Sequence, residues 1–304
     1  MFKLISFLLG FILLISCTGN SSESNSQLAH VVTTEWLSQH LNDSDLVLLY
    51  AGKEKKFNNE HIPRSLYVSF KSITSENPEN DLTMELPSIE ELDSVFTSLG
   101  VTENSKIVLY WGKKWISPTT RLFFTLDYMG MGDRTYILDG GLSLWKEEMR
   151  KVTAESAIAK PGKVISSPDS KLLVDKNWVS SNLNNPEVLL IDSRASSFYA
   201  GEMKSNSWNK RPGHIPSAIN IPYMTYVNDS TYQFLKSGEL KDLFSKHLNG
   251  TDKKLVFYCH VGQQATLGYF VAKNLGYDAY LYDGSFQEWA RDSTKQVVKS
   301  KLKE

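Results

Sequence analysis

The chain has 304 residues, a formal net charge of −1, 41% hydrophobic and 22% charged residues. Its length fits two globular domains, and the near-neutral balance gives no sign of nucleic-acid binding or of a strongly anionic partner. Two cysteines are present, so Cys17 is the only possible disulfide partner of Cys259.

The chain opens with Met1-Phe2-Lys3 and an apolar run from Leu4 to Ile15, the charged start and short hydrophobic stretch of a secretory signal. Leu14-Ile15-Ser16-Cys17 resembles a bacterial lipobox, which implies removal of residues 1–16 and lipidation of Cys17. An ordinary signal peptide holding a stray cysteine is the alternative. The lipobox reading predicts an exported protein, held on a bacterial cell membrane at the periplasmic or outer-membrane face without spanning it. Residues 17–30 then read as a flexible tether, with four serines, two asparagines and a glycine between Thr18 and Ala29. A modified Cys17 leaves Cys259 unpaired: a reactive thiol, or in the alternative a buried inert one.

Residues 31–150 and 171–304 repeat one set of landmarks in one order. A Trp-bearing amphipathic segment (Thr34 to Leu41, Lys176 to Leu183) precedes an apolar strand (Leu46 to Tyr50, Val188 to Ile191). Next come His61-Ile62-Pro63 and His214-Ile215-Pro216, then a second strand, Ile107 to Tyr110 and Leu255 to Tyr258. After a helical stretch, each half closes on Asp139-Gly140-Gly141 through Trp145, or Asp283-Gly284-Ser285 through Trp289. Short apolar strands alternating with helix-length segments predict two α/β domains, each a mainly parallel sheet flanked by helices. Residues 151–170, with Pro161, Gly162 and Pro168, are assigned to the linker.

In the second half, the strand ending at Tyr258 leads through Cys259-His260-Val261-Gly262-Gln263-Gln264 into a predicted helix over 265–273. Loop amides and the positive end of that helix favour a thiolate at Cys259, which reads as a nucleophile. Gly262 suits a positive φ or a close approach, while Gly268 weakens the helix prediction. His260 either adds positive charge or donates a hydrogen bond to a bound anion, or else faces solvent. Gln263 and Gln264 offer hydrogen bonds but no proton transfer. A cysteine phosphatase needs an arginine to clamp phosphate where this loop has Ala265.

Leu190-Ile191-Asp192-Ser193-Arg194, Tyr199, the stretch from Gly213 to Pro222, the Cys259 loop and Tyr282-Asp283-Gly284-Ser285 with Trp289 together resemble the catalytic half of rhodanese-type sulfurtransferases. The first half resembles the inactive half of their tandem members. The resemblance implies two tandem rhodanese-like domains that pass a sulfane sulfur from a small anionic donor, thiosulfate or 3-mercaptopyruvate, to a thiol or cyanide acceptor through a Cys259 persulfide. It implies no cofactor and no metal. Substrate binding falls to His260, Val261, Gly262, Gln263, Gln264, Ala265 and Arg194, with a structural clamp near His214 as the alternative role for Arg194.

Two positions depart from the family pattern. Val261 stands where thiosulfate-specific members carry a basic residue, and Phe198 where many tandem members carry an anion-binding arginine. Lys210 and Arg211 are a further source of charge. These departures motivate the alternative of a weakly catalytic binding or redox-sensing module. In the first half Trp111 occupies the cysteine position, so that half is expected to stabilise the fold and wall the cleft, with Lys113 and Trp115 at the surface.

Overall fold

The computed structural model describes residues 28–77, 81–204, 208 and 211–301. The signal segment, Cys17, the tether as far as residue 27 and Lys210 lie outside the described residues.

Leu46 to Tyr50 and Ile107 to Tyr110 are apolar at successive positions, so neither can give one face to water, and both become central strands. The first domain runs β1 (Val31–Val32), α1 (Thr34–His40), β2 (Leu46–Ala51), α2 (Glu54–Asn59), β3 (Leu66–Val68), β4 (Ser75–Asn77), β5 (Leu82–Glu85), α3 (Ile89–Ser98), β6 (Lys106–Tyr110), α4 (Ser117–Tyr128), β7 (Thr135–Leu138) and α5 (Gly141–Glu147). Its sheet has the order β1-β7-β6-β2-β3 with every pair parallel, and β4 and β5 make a separate antiparallel ribbon.

The second domain runs β8 (Leu173–Val174), α6 (Lys176–Ser181), β9 (Val188–Asp192), α7 (Ser196–Ala200), β10 (Ile219–Asn220), α8 (Ser237–Leu248), β11 (Lys254–Tyr258), α9 (Ala265–Asn274), β12 (Ala279–Tyr282) and α10 (Ser285–Arg291). Its sheet, β10-β9-β11-β12-β8, repeats the first when read from the other edge. The predicted pair of parallel α/β domains is thus the observed fold. Matching hydrogen bonds fix the correspondence. The Tyr110 hydroxyl accepts from the Ile62 amide at 3.2 Å and the Tyr258 hydroxyl from Ile215 at 3.3 Å. Leu142 N donates to Trp111 O in the first domain, and Phe286 N donates to Cys259 O in the second.

The domains join along α4 and α9. Both helices end at a left-handed glycine, Gly130 (φ +82°) and Gly276 (φ +83°), and counting back from these aligns Thr120 with Thr266, Phe123 with Tyr269 and Phe124 with Phe270. Across the interface Phe123 packs edge-on against Phe270 and Phe124 against Tyr269, while the Thr120 and Thr266 hydroxyls meet at 2.8 Å. Each contact is the other's image about a local twofold axis. One apolar core runs through both domains as a result, from Leu49 and Phe123 to Phe270 and Leu281.

Gly268, which weakened the helix prediction, is what lets α9 lie on its sheet. A Cβ there would stand 2.6 Å from the Phe257 ring. Leu28, placed in the tether by composition, is instead 4% exposed, and its carbonyl accepts from Val31 N. The His30 amide donates to Asn274 Oδ1 at 2.7 Å, so residues 28–30 are held by the body. The segment after α5 follows the first domain: Thr153 pairs with His61, Gly162 N reaches Thr97 O, and Ser167 N reaches Met129 O.

Candidate active site

Tyr258 ends β11 and Ala265 starts α9, and the six residues between them curl around one sulfur. Burial pushes the Cys259 thiol above its ordinary value, while the Ala265, Val261 and Gln264 amides, each hydrogen-bonded to the sulfur, pull it down. Three convergent donors are what a sulfur anion requires in a site closed to water. Cys259 itself is 1% exposed and is a free thiol.

The loop is held from three sides. Ser285, at φ +52°, accepts from Cys259 N at 3.2 Å and donates to Tyr282 O at 2.8 Å, and Gln287 N donates to His260 O at 3.0 Å. On the β9 side Ser193 N donates to Tyr258 O at 2.8 Å. The third support comes from the other domain. Arg121, fully buried on α4, pairs with both Asp283 oxygens and donates to the carbonyls of Gly262 (3.2 Å) and Met84 (2.8 Å). Asp283 also accepts from Leu86 N at 3.0 Å. Gly262 has φ +78°, and a Cβ on it would meet Asp283 Oδ1 at 2.5 Å, so the residue satisfies both requirements anticipated for it.

His260 neither carries charge nor faces solvent, which leaves its neutral N–H as the group that could meet a bound anion. At 6% exposure it does not face solvent, and burial beside the Arg194 charge holds its imidazole down to about 4. It is therefore neutral at working pH, edge-on to Phe198 at 4.6 Å and beside Trp208. Phe198 replaces the family arginine with a wall for this neutral ring.

Arg194 was expected beside the substrate. Its Nε and Nη2 bond both Asp192 oxygens, Nη2 also donates to Gly213 O at 2.7 Å, and the guanidinium lies 3.9 Å from the Phe286 ring centre. The clamp geometry places it as a positioning residue joining β9, the His214 turn and α10. Arg211 likewise donates to the carbonyls of Trp289, Ala290, Asp292 and Lys295, which makes it a staple for the chain after α10. His214 and His61 are alike structural: each ring stacks on the preceding aromatic, Tyr199 or Phe57, and bonds that residue's carbonyl at 2.8 Å.

Val261 is 4% exposed and contributes its amide, not its side chain. Gln263 Nε2, Gln264 Oε1 and Ser193 Oγ are buried without a hydrogen-bond partner beside the loop, polar groups that a bound molecule can satisfy. Among the described residues no group of three or more His, Cys, Asp and Glu side chains is placed to hold a metal. In the first domain Trp111, at the Cys259 position, is 1% exposed. Its indole covers Gly141, where a Cβ would come within 2.9 Å of the ring, so the space used by Ser285 in the second domain is filled.

Sequence reasoning missed Arg121. The available signal was its isolation: from Ser117 to Leu126 it is the only charged residue in a helix otherwise apolar or hydroxylic.

Comparison with known proteins agrees with this geometry. The family model of the rhodanese-like domain matches twice, over residues 33–148 and 175–292. The chain is 28% identical to a probable 3-mercaptopyruvate sulfurtransferase of Pseudomonas aeruginosa, over 89% of this chain and 98% of that one. It is 25% identical to the thiosulfate sulfurtransferase of Rattus norvegicus, over 86% and 92% of the two chains. Among solved structures, the 3-mercaptopyruvate sulfurtransferase SseA of Escherichia coli shares the fold at TM-score 0.73 and 23% identity, over 84% of this chain and 98% of that one. The anaerobic ergothioneine biosynthesis enzyme of Chlorobium limicola shares it at TM-score 0.79 and 20% identity, over 91% and 72%. The doubled sheet and the doubled family match lead to one conclusion: the chain belongs to the rhodanese-like family, as a tandem of two such domains with the Cys259 cradle in the second.

Proposed function

We propose that this protein is a sulfurtransferase that carries sulfur as a persulfide on Cys259. The observation that carries this reading is the convergence of the Val261, Gln264 and Ala265 amides on a buried thiol. The Cys259 thiolate attacks the outer sulfur of thiosulfate, forming a Cys–S–S bond as sulfite leaves with the electron pair of the broken bond. With 3-mercaptopyruvate the C–S bond breaks instead, and the carbon fragment takes up a proton and leaves as pyruvate. An acceptor thiolate or cyanide then takes the terminal sulfur and returns the Cys259 thiolate. The amides stabilise the anion at each stage, worth about 3 kcal/mol for a single well-placed donor.

Incubation with thiosulfate or 3-mercaptopyruvate is expected to add about 32 Da, one sulfur atom, at Cys259, and a thiol to remove it. Cys259→Ser is expected to abolish both, because a hydroxyl is a far weaker nucleophile at neutral pH. Absence of the adduct with either donor sinks the reading. The neutral surroundings of Val261, Phe198 and His260 make the donor preference a matter for kcat/KM across both.

The same proposal includes the anchor. The Leu14-Ile15-Ser16-Cys17 sequence supports lipidation of Cys17 and placement of the enzyme on a membrane surface outside the cytoplasm. Metabolic labelling with an alkynyl fatty acid is expected to mark the wild type but not Cys17→Ser, and the unlabelled variant should leave the membrane fraction.

A further inference from the structure

The first domain holds a cavity where the second has its buried clamp. Through the strand registers and matching hydrogen bonds, Tyr50 stands at the position of Asp192, Gly52 at that of Arg194, Gly112 at that of His260 and Leu142 at that of Phe286. In the second domain those four side chains fill their space, with Arg194 paired to Asp192 and lying over Phe286. Exchange of an arginine and a histidine for two glycines empties it. A cavity of about 420 Å³ results, with Tyr50, Gly52, Gly112 and Leu142 in its lining. That volume is within the range of small-molecule sites.

The floor carries one polar group. Tyr50 is 2% exposed, and its hydroxyl points between Gly52 and Gly112. It lies 2.8 Å from where a Cβ on Gly52 would stand and 2.7 Å from one on Gly112, so only glycine at both positions leaves it open to the cavity. A hydroxyl open to the cavity is a donor that a ligand oxygen can engage in place of water.

Lys53, Lys56 and Lys113 line the mouth, and Trp115, 43% exposed, offers a flat apolar face. The one carboxylate there, Glu60, is already paired with Lys146 at 2.6 Å. The net field at the mouth is therefore positive, over an apolar wall.

We propose that this cavity binds a small aromatic carboxylate. Its ring packs on Leu142 and Trp115, and its anionic end meets the Tyr50 hydroxyl and the lysines. The site is separate from Cys259 and does not depend on the sulfur-transfer reading.

The test is calorimetric titration of the whole processed chain with naphthalene-2-carboxylate, its neutral carboxamide and inorganic phosphate. Saturable binding of one carboxylate per chain is expected, with the amide and phosphate each at least about tenfold weaker. Tyr50→Phe, which keeps the ring, should weaken the acid about three- to tenfold, for a loss of about one hydrogen bond. Lys53→Gln with Lys113→Gln should weaken it and flatten its salt dependence. Cys259→Ser should bind like wild type. Equal affinity for acid and amide, phosphate binding as tightly as the acid, binding unchanged in Tyr50→Phe, or loss in Cys259→Ser would each overturn the proposal.

Discussion

At the scale of single residues, the site works by burial as much as by charge. His260 illustrates this, because folding holds it neutral down to about pH 4 whereas an unfolded chain protonates it near 6.5. Below pH 6.5 the unfolded state binds a proton that the folded state refuses, so its contribution is complete above 6.5 and is lost as pH falls to about 4. The shift corresponds to about 3 kcal/mol. Denaturant unfolding at pH 7 and pH 4 should show the wild type losing about that much more stability than His260→Leu. Cys259 sets the opposite limit. Because burial raises its thiol, the rate of alkylation by iodoacetamide is expected to keep climbing with pH beyond the ordinary thiol range, with no inflection near 6.5 from His260. A plateau already at pH 7 would mean that the amides outweigh burial.

At the scale of elements, the active loop rests on a helix from the domain without a nucleophile. Arg121 on α4 fixes the Gly262 carbonyl and Asp283 together, so Arg121→Met leaves a carboxylate partly buried with no cation beside it. The expected cost is about 3–5 kcal/mol in denaturant unfolding, with kcat reduced about 10- to 100-fold as the cradle loses its alignment. Gly262→Ala meets Asp283 and a positive φ together, and is expected to cost about 1–3 kcal/mol and most of the activity. Much of this architecture was legible in the sequence. Apolar runs gave the central strands, repeated landmarks gave the two domains, and the strand-loop-helix pattern gave the Cys259 turn. Arg121 was not, because its partners Asp283, just after β12, and the Gly262 carbonyl lie far along the chain, and only the docking of α4 on α9 brings them near. The fate of Arg194 was half legible. Its charge marked it, but its partners, Asp192 and the Gly213 carbonyl, are set by the fold of the His214 turn. For His260 the sequence showed a loop, and loops usually face water; this one is folded under Phe198 and Trp208.

At the scale of the molecule, the two domains share one core and cannot be treated as catalytic unit and spacer. Residues 171–301 produced alone would expose Tyr269, Phe270 and the apolar side of α9, and would lose Arg121 from beneath the Cys259 loop. Such a fragment is expected to aggregate or to bind apolar dyes, and to show sulfur transfer far below that of the whole chain. Recovery of full activity by the fragment would rule out a catalytic role for the α4–α9 contact.

The interface also shows where the two halves differ. Asp127 and Lys273 each stand three residues before the helix-ending glycine, so they are counterparts, and they face each other across the twofold axis at 2.6 Å. In a dimer of identical subunits a position that faces its own copy sets like charge against like, acid on acid or lysine on lysine. Opposite charges become available there when the two copies are free to differ, as they are on one chain. The Asp127–Lys273 pair is thus an asymmetry at the centre of an otherwise symmetric contact, a place where the two halves attract because they differ.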